Sequence, residues 1–500
     1  MEAALSLRLV EALNRKGIEY CHWKSNLSLA KALSGEEDLD LLVDRRSLPE
    51  FLTVLAELGF KGALVRSGPN VPGVFHYYGL DQPTGRIAHV HLFSIVLTGE
   101  SFVKSHFLPL ERMLLENREQ IGQVYIVSKP AELVLFVLRT FIKYGSLLDI
   151  LRLAGTPDSL RSELQWLRAG ADISEAVRLL EKYCPVVDKP LFLKCIETLD
   201  GQSSLLERVR LARKVRSRLR IYAKYTPLRR LLAYASFIWA TLQRRLVGGR
   251  KNKTSCAGGL IVAFVGADAT GKSTLVAESA RWLGEVFAVR TVHAGKPPST
   301  WLTAPVNKLA LPVARRLWPL LRRKRVSKAG HSEEPGADLQ WENGAPSLMY
   351  AIRAVTLAWD RYRLLCKARR WAANGEIVVC DRYPTTMMGA MDSARLTSGI
   401  PQIGAKGAVY GWLSRLEQRL YQRMPPPDIV LRLRVSLETA KQRNRARGAG
   451  GMDGERYLEA RHRNVQDWRK DGTKYIYDID TERPLQETIL TVKKTIWDSL

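Results

Sequence analysis

Apolar positions recur with two different periods along the chain, and the places where the period changes divide it. Residues 1–105 mix helical stretches with short β-rich runs, LDLLV at 39–43 and IAHVHLF at 87–93 among them. Residues 106–247 read as almost all helical, in runs such as ERMLLENREQI at 111–121 and AELVLFVLRTFIKYG at 131–145. A basic, glycine-containing segment at 248–257 reads as a linker. In residues 258–500, apolar strand-like runs (LIVAFVG, VRTVHAG, EIVVCDRY, PDIVLRLRV) alternate with helical stretches. Such alternation predicts an α/β domain whose parallel sheet carries helices on both faces, behind an N-terminal α+β domain and a helical connector.

Composition narrows the class. The 77 Lys and Arg against 50 Asp and Glu leave a net charge of +27, a balance suited to polyphosphates, nucleic acid or an anionic membrane. Six scattered cysteines show neither C-x-x-C nor zinc spacing and read as reduced thiols. The first residues, MEAALSLRLVEALNRKG, read as a short amphipathic helix rather than a signal peptide, and the longest apolar run, 231–242, is too short to span a bilayer. The expectation is a cytoplasmic protein.

The chemistry concentrates at Gly266-Ala267-Asp268-Ala269-Thr270-Gly271-Lys272-Ser273-Thr274, the full G-x-x-x-x-G-K-[ST] pattern directly after an apolar strand. Glycines let successive backbone N–H groups face one anion, and the following helix offers it a positive N-terminus. Lys272 can reach β- and γ-phosphates and Ser273 suits a Mg²⁺ ligand, so ATP and Mg²⁺ are the expected cofactors. A second strand, 376–380, ends in Asp381-Arg382-Tyr383, placing an acid for Mg²⁺ and an arginine for phosphate at the carboxyl end of a parallel strand. A third, 427–435, leads into a helix ending in Arg443, Arg445 and Arg447.

With these three segments in order, residues 258–500 resemble the thymidylate kinase family of nucleoside monophosphate kinases. The resemblance implies that Asp268 contacts the phosphoryl acceptor, that Arg382 holds the acceptor's phosphate, and that Arg443 is a lid arginine near the adenine with Arg447 a phosphate contact. The chain departs from that family after Tyr383, where Pro384-Thr385-Thr386-Met387-Met388-Gly389-Ala390-Met391-Asp392 lacks the Tyr-Gln pair that helps read the nucleotide, and after the second strand, where His293-Ala294-Gly295-Lys296 stands for R-E-P-G. A pocket without base-reading groups discriminates thymine poorly. Asp392, Arg395 and Arg361 are additional acceptor-site candidates, and the basic run 315–325 reads as a solvated face or an anion site.

In the N-terminal region, Asp38 and Asp40 flank Leu39 at the start of a strand and so share a face, as a metal-pair site requires. Trp23-Lys24-Ser25-Asn26 forms a small polar turn before them. The layout resembles the polymerase β-type nucleotidyltransferase superfamily, with His91 at the position of the third acid. The helical middle carries a dense arginine run at 208–220, then Arg229-Arg230 and Arg244-Arg245 around an apolar helix. That helix reads either as a core helix or as one lying on an anionic membrane. No nucleic-acid recognition motif stands out. The sequence reading is a Mg²⁺-dependent ATP phosphotransferase for a small phosphorylated or hydroxylated acceptor. Alternatives are a genuine thymidylate kinase, or a nucleotide-gated scaffold or membrane-associated regulator without turnover.

Overall fold

The computed structural model describes residues 4–66, 71–99, 104–143, 158–200, 205–247, 253–310, 348–387, 392–396, 404–446, 462 and 468–500. The chain divides into two compact units, Met1–Cys256 and Ala257–Leu500.

The first unit is built on strands β1 (Tyr20–His22), β2 (Leu39–Val43), β3 (Lys61–Leu64), β4 (Val74–Asp81), β5 (Arg86–Phe93), β6 (Val96–Thr98), β7 (His106–Leu108), β8 (Arg118–Ile121), β9 (Val124–Val127) and β10 (Thr254–Ser255). Eight of them form one sheet in the order β10-β3-β4-β5-β2-β1-β9-β8. Period-two alternation gives it one apolar face, where Leu39, Leu41, Val90 and Leu92 pack against the helices Leu5–Arg15 and Leu48–Glu57. The other face carries Asp40 and His91, which are direct register partners across β2 and β5.

Two boundaries differ from the sequence expectation. The stretch 111–121 does not continue as a helix: it is helical over Glu111–Glu116 and then becomes β8, because Gly122 at φ +60° supplies the turn of a β8–β9 hairpin. The sheet therefore runs past residue 105 to Val127, and the helical part starts with the helix Lys129–Lys143, which is buried along nearly its whole length among its neighbours. The end of the expected linker likewise pairs, as β10, with the edge strand β3.

The second unit holds β11 (Ile261–Gly266), β12 (Val289–His293), β13 (Ile377–Asp381), β14 (Ile429–Arg434) and β15 (Tyr475–Asp480), in the order β12-β13-β11-β14-β15 and parallel throughout. This is an α/β architecture. β11 is buried along its whole length, as a central parallel strand must be. Its Ile261, Ala263 and Val265 pack beneath Ala358, Leu365 and Ala372 of the helix Leu348–Ala373. The helices Lys272–Leu283 and Leu485–Asp498 meet through Trp282 and Trp497, whose rings lie 6.0 Å apart. β12 and β13 lie on one side of β11 and β14 and β15 on the other, so the strand order reverses at β11 and a crevice opens at its carboxyl end, where such sheets bind ligands.

Candidate functional site

β11 ends at Gly266 and the helix Lys272–Leu283 begins six residues later, which forces a tight loop. Ala269 at φ +66° and Gly271 at φ +87° make the turn. Left-handed backbone is unfavourable for alanine, so the loop holds local strain of the kind that collects at ligand sites. A Cβ on Gly266 would stand 2.8 Å from Thr270 Oγ1 and 3.1 Å from Leu433 Cβ. Thr270 Oγ1 pins the curl by donating to the Ala267 carbonyl at 2.9 Å. Ser273 and Thr274 are exposed on the first turn of the helix, whose N–H groups have no partner within it.

Lys272 is buried, and its Nζ donates to the carbonyls of Gly266, at 3.0 Å, and Ala267. Burial pushes its pKa down to about 8, opposed by the carboxylates of Asp268, Asp381 and Asp392 and reinforced by Arg382. These five charges, drawn from three separate stretches of sequence, converge at the carboxyl ends of β11 and β13.

Arg382 sits at φ +66°, just past β13, an orientation fixed by its neighbours. Tyr383 is buried and donates its hydroxyl to the Pro425 carbonyl at 2.7 Å, while Trp468 Nε1 donates to the Tyr383 carbonyl at 3.2 Å. The guanidinium then reaches Asp268 at 3.4 Å and Asp392 at 3.8 Å. Its stem passes over Gly295, where a Cβ would stand 2.8 Å from Arg382 Cδ. Gly295 is a site residue that the sequence reading passed over; only its close approach to Arg382 marks it.

Arg361 was expected at the acceptor site, and the structure places it elsewhere. It is fully buried, and its donors are spent on Ala294 O at 3.0 Å, Gly295 O at 3.3 Å, Tyr421 OH at 2.5 Å, and the Asp392 carbonyl and carboxylate at 3.2 and 2.5 Å. Arg361 is a positioning residue that holds Asp392 and the 294–295 backbone around Arg382. Arg395 is exposed and engages Tyr350, while its backbone N–H donates to Glu417. Asp392, by contrast, stands within reach of Arg382. The basic run 315–325 and Met388–Met391 lie outside the described residues, as does Arg447.

Asp381 has one carboxylate oxygen 3.9 Å from His293 Nε2 and the other buried without a hydrogen-bond partner. An orphaned buried carboxylate oxygen beside an exposed serine hydroxyl suits a hydrated Mg²⁺, which keeps several waters and takes one or two protein ligands. No cluster of three or more His, Cys, Asp or Glu able to hold a metal occurs among the described residues.

On the other side of the loop lies a cavity of about 440 Å³, lined by Ala267 and Thr270, the end of β14 from Arg432 to Ser436, His462, and Asp478, Asp480 and Glu482 of the β15 edge. Asp478 accepts from both Arg432, at 2.6 Å, and Arg434, at 2.7 Å, and these bonds hold its carboxyl down at about 2. Arg443 donates to the carbonyl of Thr481, between the lining residues Asp480 and Glu482, at 2.7 Å.

In the first unit, the Asp40 carboxylate is mostly buried beside Lys24 and His91. Lys24 Nζ lies 2.9 Å from it and His91 Nδ1 3.1 Å, on a carboxylate held well below its ordinary range against the cost of burial. Asp38 accepts from His89 at 2.6 Å, which lowers its pKa. His91 stacks on His76 at 4.5 Å, and burial brings His76 down to about 3.

No family model matches the chain. It is 26% identical over 185 residues to the uncharacterized ATP-binding protein YghR of Escherichia coli strain K12, covering 37% of this chain and 68% of the relative. Over 189 residues it is 28% identical to the uncharacterized ATP-binding protein YghS of the same strain, covering 36% of this chain and 71% of the relative. Among solved structures it is similar to a deoxyadenosine kinase from M. mycoides with products dCMP and a flexible dCDP bound, at 17% identity and a TM-score of 0.27, covering 47% of this chain and 98% of that one. The same enzyme with bound dATP gives 18% identity and a TM-score of 0.26, over the same shares of the two chains. Likenesses at those scores carry no argument.

Proposed function

We propose that the second unit is a Mg²⁺-dependent ATP phosphotransferase, of thymidylate-kinase-like type, acting on a small phosphorylated acceptor such as a nucleoside monophosphate or a sugar phosphate. The observation that carries this reading is the Asp268–Arg382 pair, which joins the phosphate loop to the end of β13 around the buried Lys272. The two relatives named as ATP-binding proteins agree with it.

In this reading the loop N–H groups from Ala267 to Thr274 and Lys272 hold the donor's phosphates. Ser273 and Asp381 would hold Mg²⁺, which would neutralise charge on the phosphates. Arg382, held by Asp268 and Asp392, receives the acceptor's phosphate with its orientation already paid for in the free protein. Asp268 faces the acceptor, and the cavity walled by Arg432–Ser436 and Asp480–Glu482 takes the donor's nucleoside, with Arg443 at its rim. Phosphoryl transfer asks for alignment and positive charge rather than covalent help, and that is what this set supplies. Thymidylate itself is the narrower alternative, disfavoured by the missing Tyr-Gln pair.

For the first unit we infer a nucleotidyltransferase-like fold that does not run two-metal chemistry. Its Asp40 is already paired with Lys24 and packed against His91, and His91, the register partner of Asp40, takes the position where the resemblance calls for a third acid.

The test is transfer of labelled γ-phosphate from ATP, with Lys272→Ala and Arg382→Ala beside the wild type. Each variant is expected to lose transfer by about 10³-fold or more while its circular dichroism is unchanged. Transfer persisting in both would remove the assignment.

A further inference from the structure

Between Glu207 and Asp268 the chain has no acidic residue, and fifteen Lys and Arg fall within 208–253. Inside that stretch lies the helix Pro227–Val247, and none of its described side chains is buried. Leu228, Leu231, Leu232, Ile238, Trp239 and Leu242 are each 47–68% exposed. At about 100° per residue, these six and Ala235 fall in one sector about 120° wide that contains no polar residue. Isolated exposed leucines need no explanation, but a contiguous stripe of this size does. Arg229 is exposed beside the stripe and Arg230 is half-buried on the far side.

We propose that the helix Pro227–Val247 is an in-plane membrane anchor. It seats the Leu228–Leu242 stripe at the headgroup–acyl boundary of an anionic bilayer while the surrounding arginines engage lipid phosphates and carboxylates. Among the described residues no helix is long and apolar enough to cross a membrane, so this one lies along the surface. Charge selects the occupant. A second copy docked stripe to stripe would bring two acid-free cationic stretches together, and nucleic acid offers nothing to cover leucines. An anionic bilayer satisfies the stripe and the cations at once.

The test is flotation of the full chain with vesicles of phosphatidylcholine alone or containing phosphatidylserine, at low and high salt. The chain is expected to float with the anionic vesicles at low salt, weakly with neutral ones, and to be released by salt. Leu232→Glu with Trp239→Glu, and separately Arg229→Glu, should each lower binding about tenfold or more. In case the Glu pair fails to fold, brominated lipid should quench wild-type tryptophan fluorescence, and Trp239→Phe should float normally but lose much of that quenching. No flotation, equal flotation on neutral vesicles, or quenching unchanged by Trp239→Phe would overturn the proposal. So would a dimer that Leu232→Glu with Trp239→Glu dissociates without any vesicle binding.

Discussion

Arg361 and Arg382 belong to the same unit and are used in opposite ways, and burial tells them apart. Arg382 is partly open and holds two carboxylates at 3.4 and 3.8 Å, long enough to be exchanged for a ligand's phosphate. Arg361 is fully buried with its donors satisfied by fixed backbone and side-chain acceptors. Removing it strands the Asp392 carboxylate, so Arg361→Met should destabilise the second unit by about 3–5 kcal/mol, read by urea unfolding. An unchanged midpoint would show that Asp392 finds another partner. In the first unit, burial drives Glu132 up to about 7, despite the bonds that Asn26 donates and the nearby Arg139, with Glu163 pushing it further up. A carboxyl with a raised native pKa binds extra protons in the folded state, so its penalty is absent below the unfolded value and complete above pH 7. Between pH 5 and 7.5 the wild type should lose roughly 1–3 kcal/mol of first-unit stability relative to Glu132→Gln. Parallel pH profiles would contradict this.

At the scale of elements, legibility followed burial. β11 and β13 were visible because strands buried on both faces must be continuously apolar, and the phosphate loop was visible because its geometry permits few residues. β15 was not: YIYDID alternates, most of it is exposed at the sheet edge, and its carboxylates serve Arg432 and Arg434. β8 was hidden inside a helix-period run, with Gly122 as the only signal of a turn. The site was half legible for a related reason. Lys272, Asp268 and Arg382 sit in motifs, whereas Gly295 and the packing of Arg361 depend on contacts between segments 31 or more residues apart.

At the scale of the molecule, two units share one chain, and the proposal assigns phosphoryl transfer to the second. The account predicts that the purified protein shows no nucleotide incorporation with Mg²⁺ or Mn²⁺, and that Asp38→Asn with Asp40→Asn leaves γ-phosphate transfer by the other unit unchanged. Incorporation abolished by that double substitution would restore a metal pair to the first unit. The central claim rests on the second unit and is tested most directly by supplying γ-labelled ATP with nucleoside monophosphates, sugars and sugar phosphates in turn. Label is expected on one phosphorylated class of acceptor, and is expected to be lost in both Lys272→Ala and Arg382→Ala. Label on no acceptor, or transfer that survives both substitutions, would contradict it.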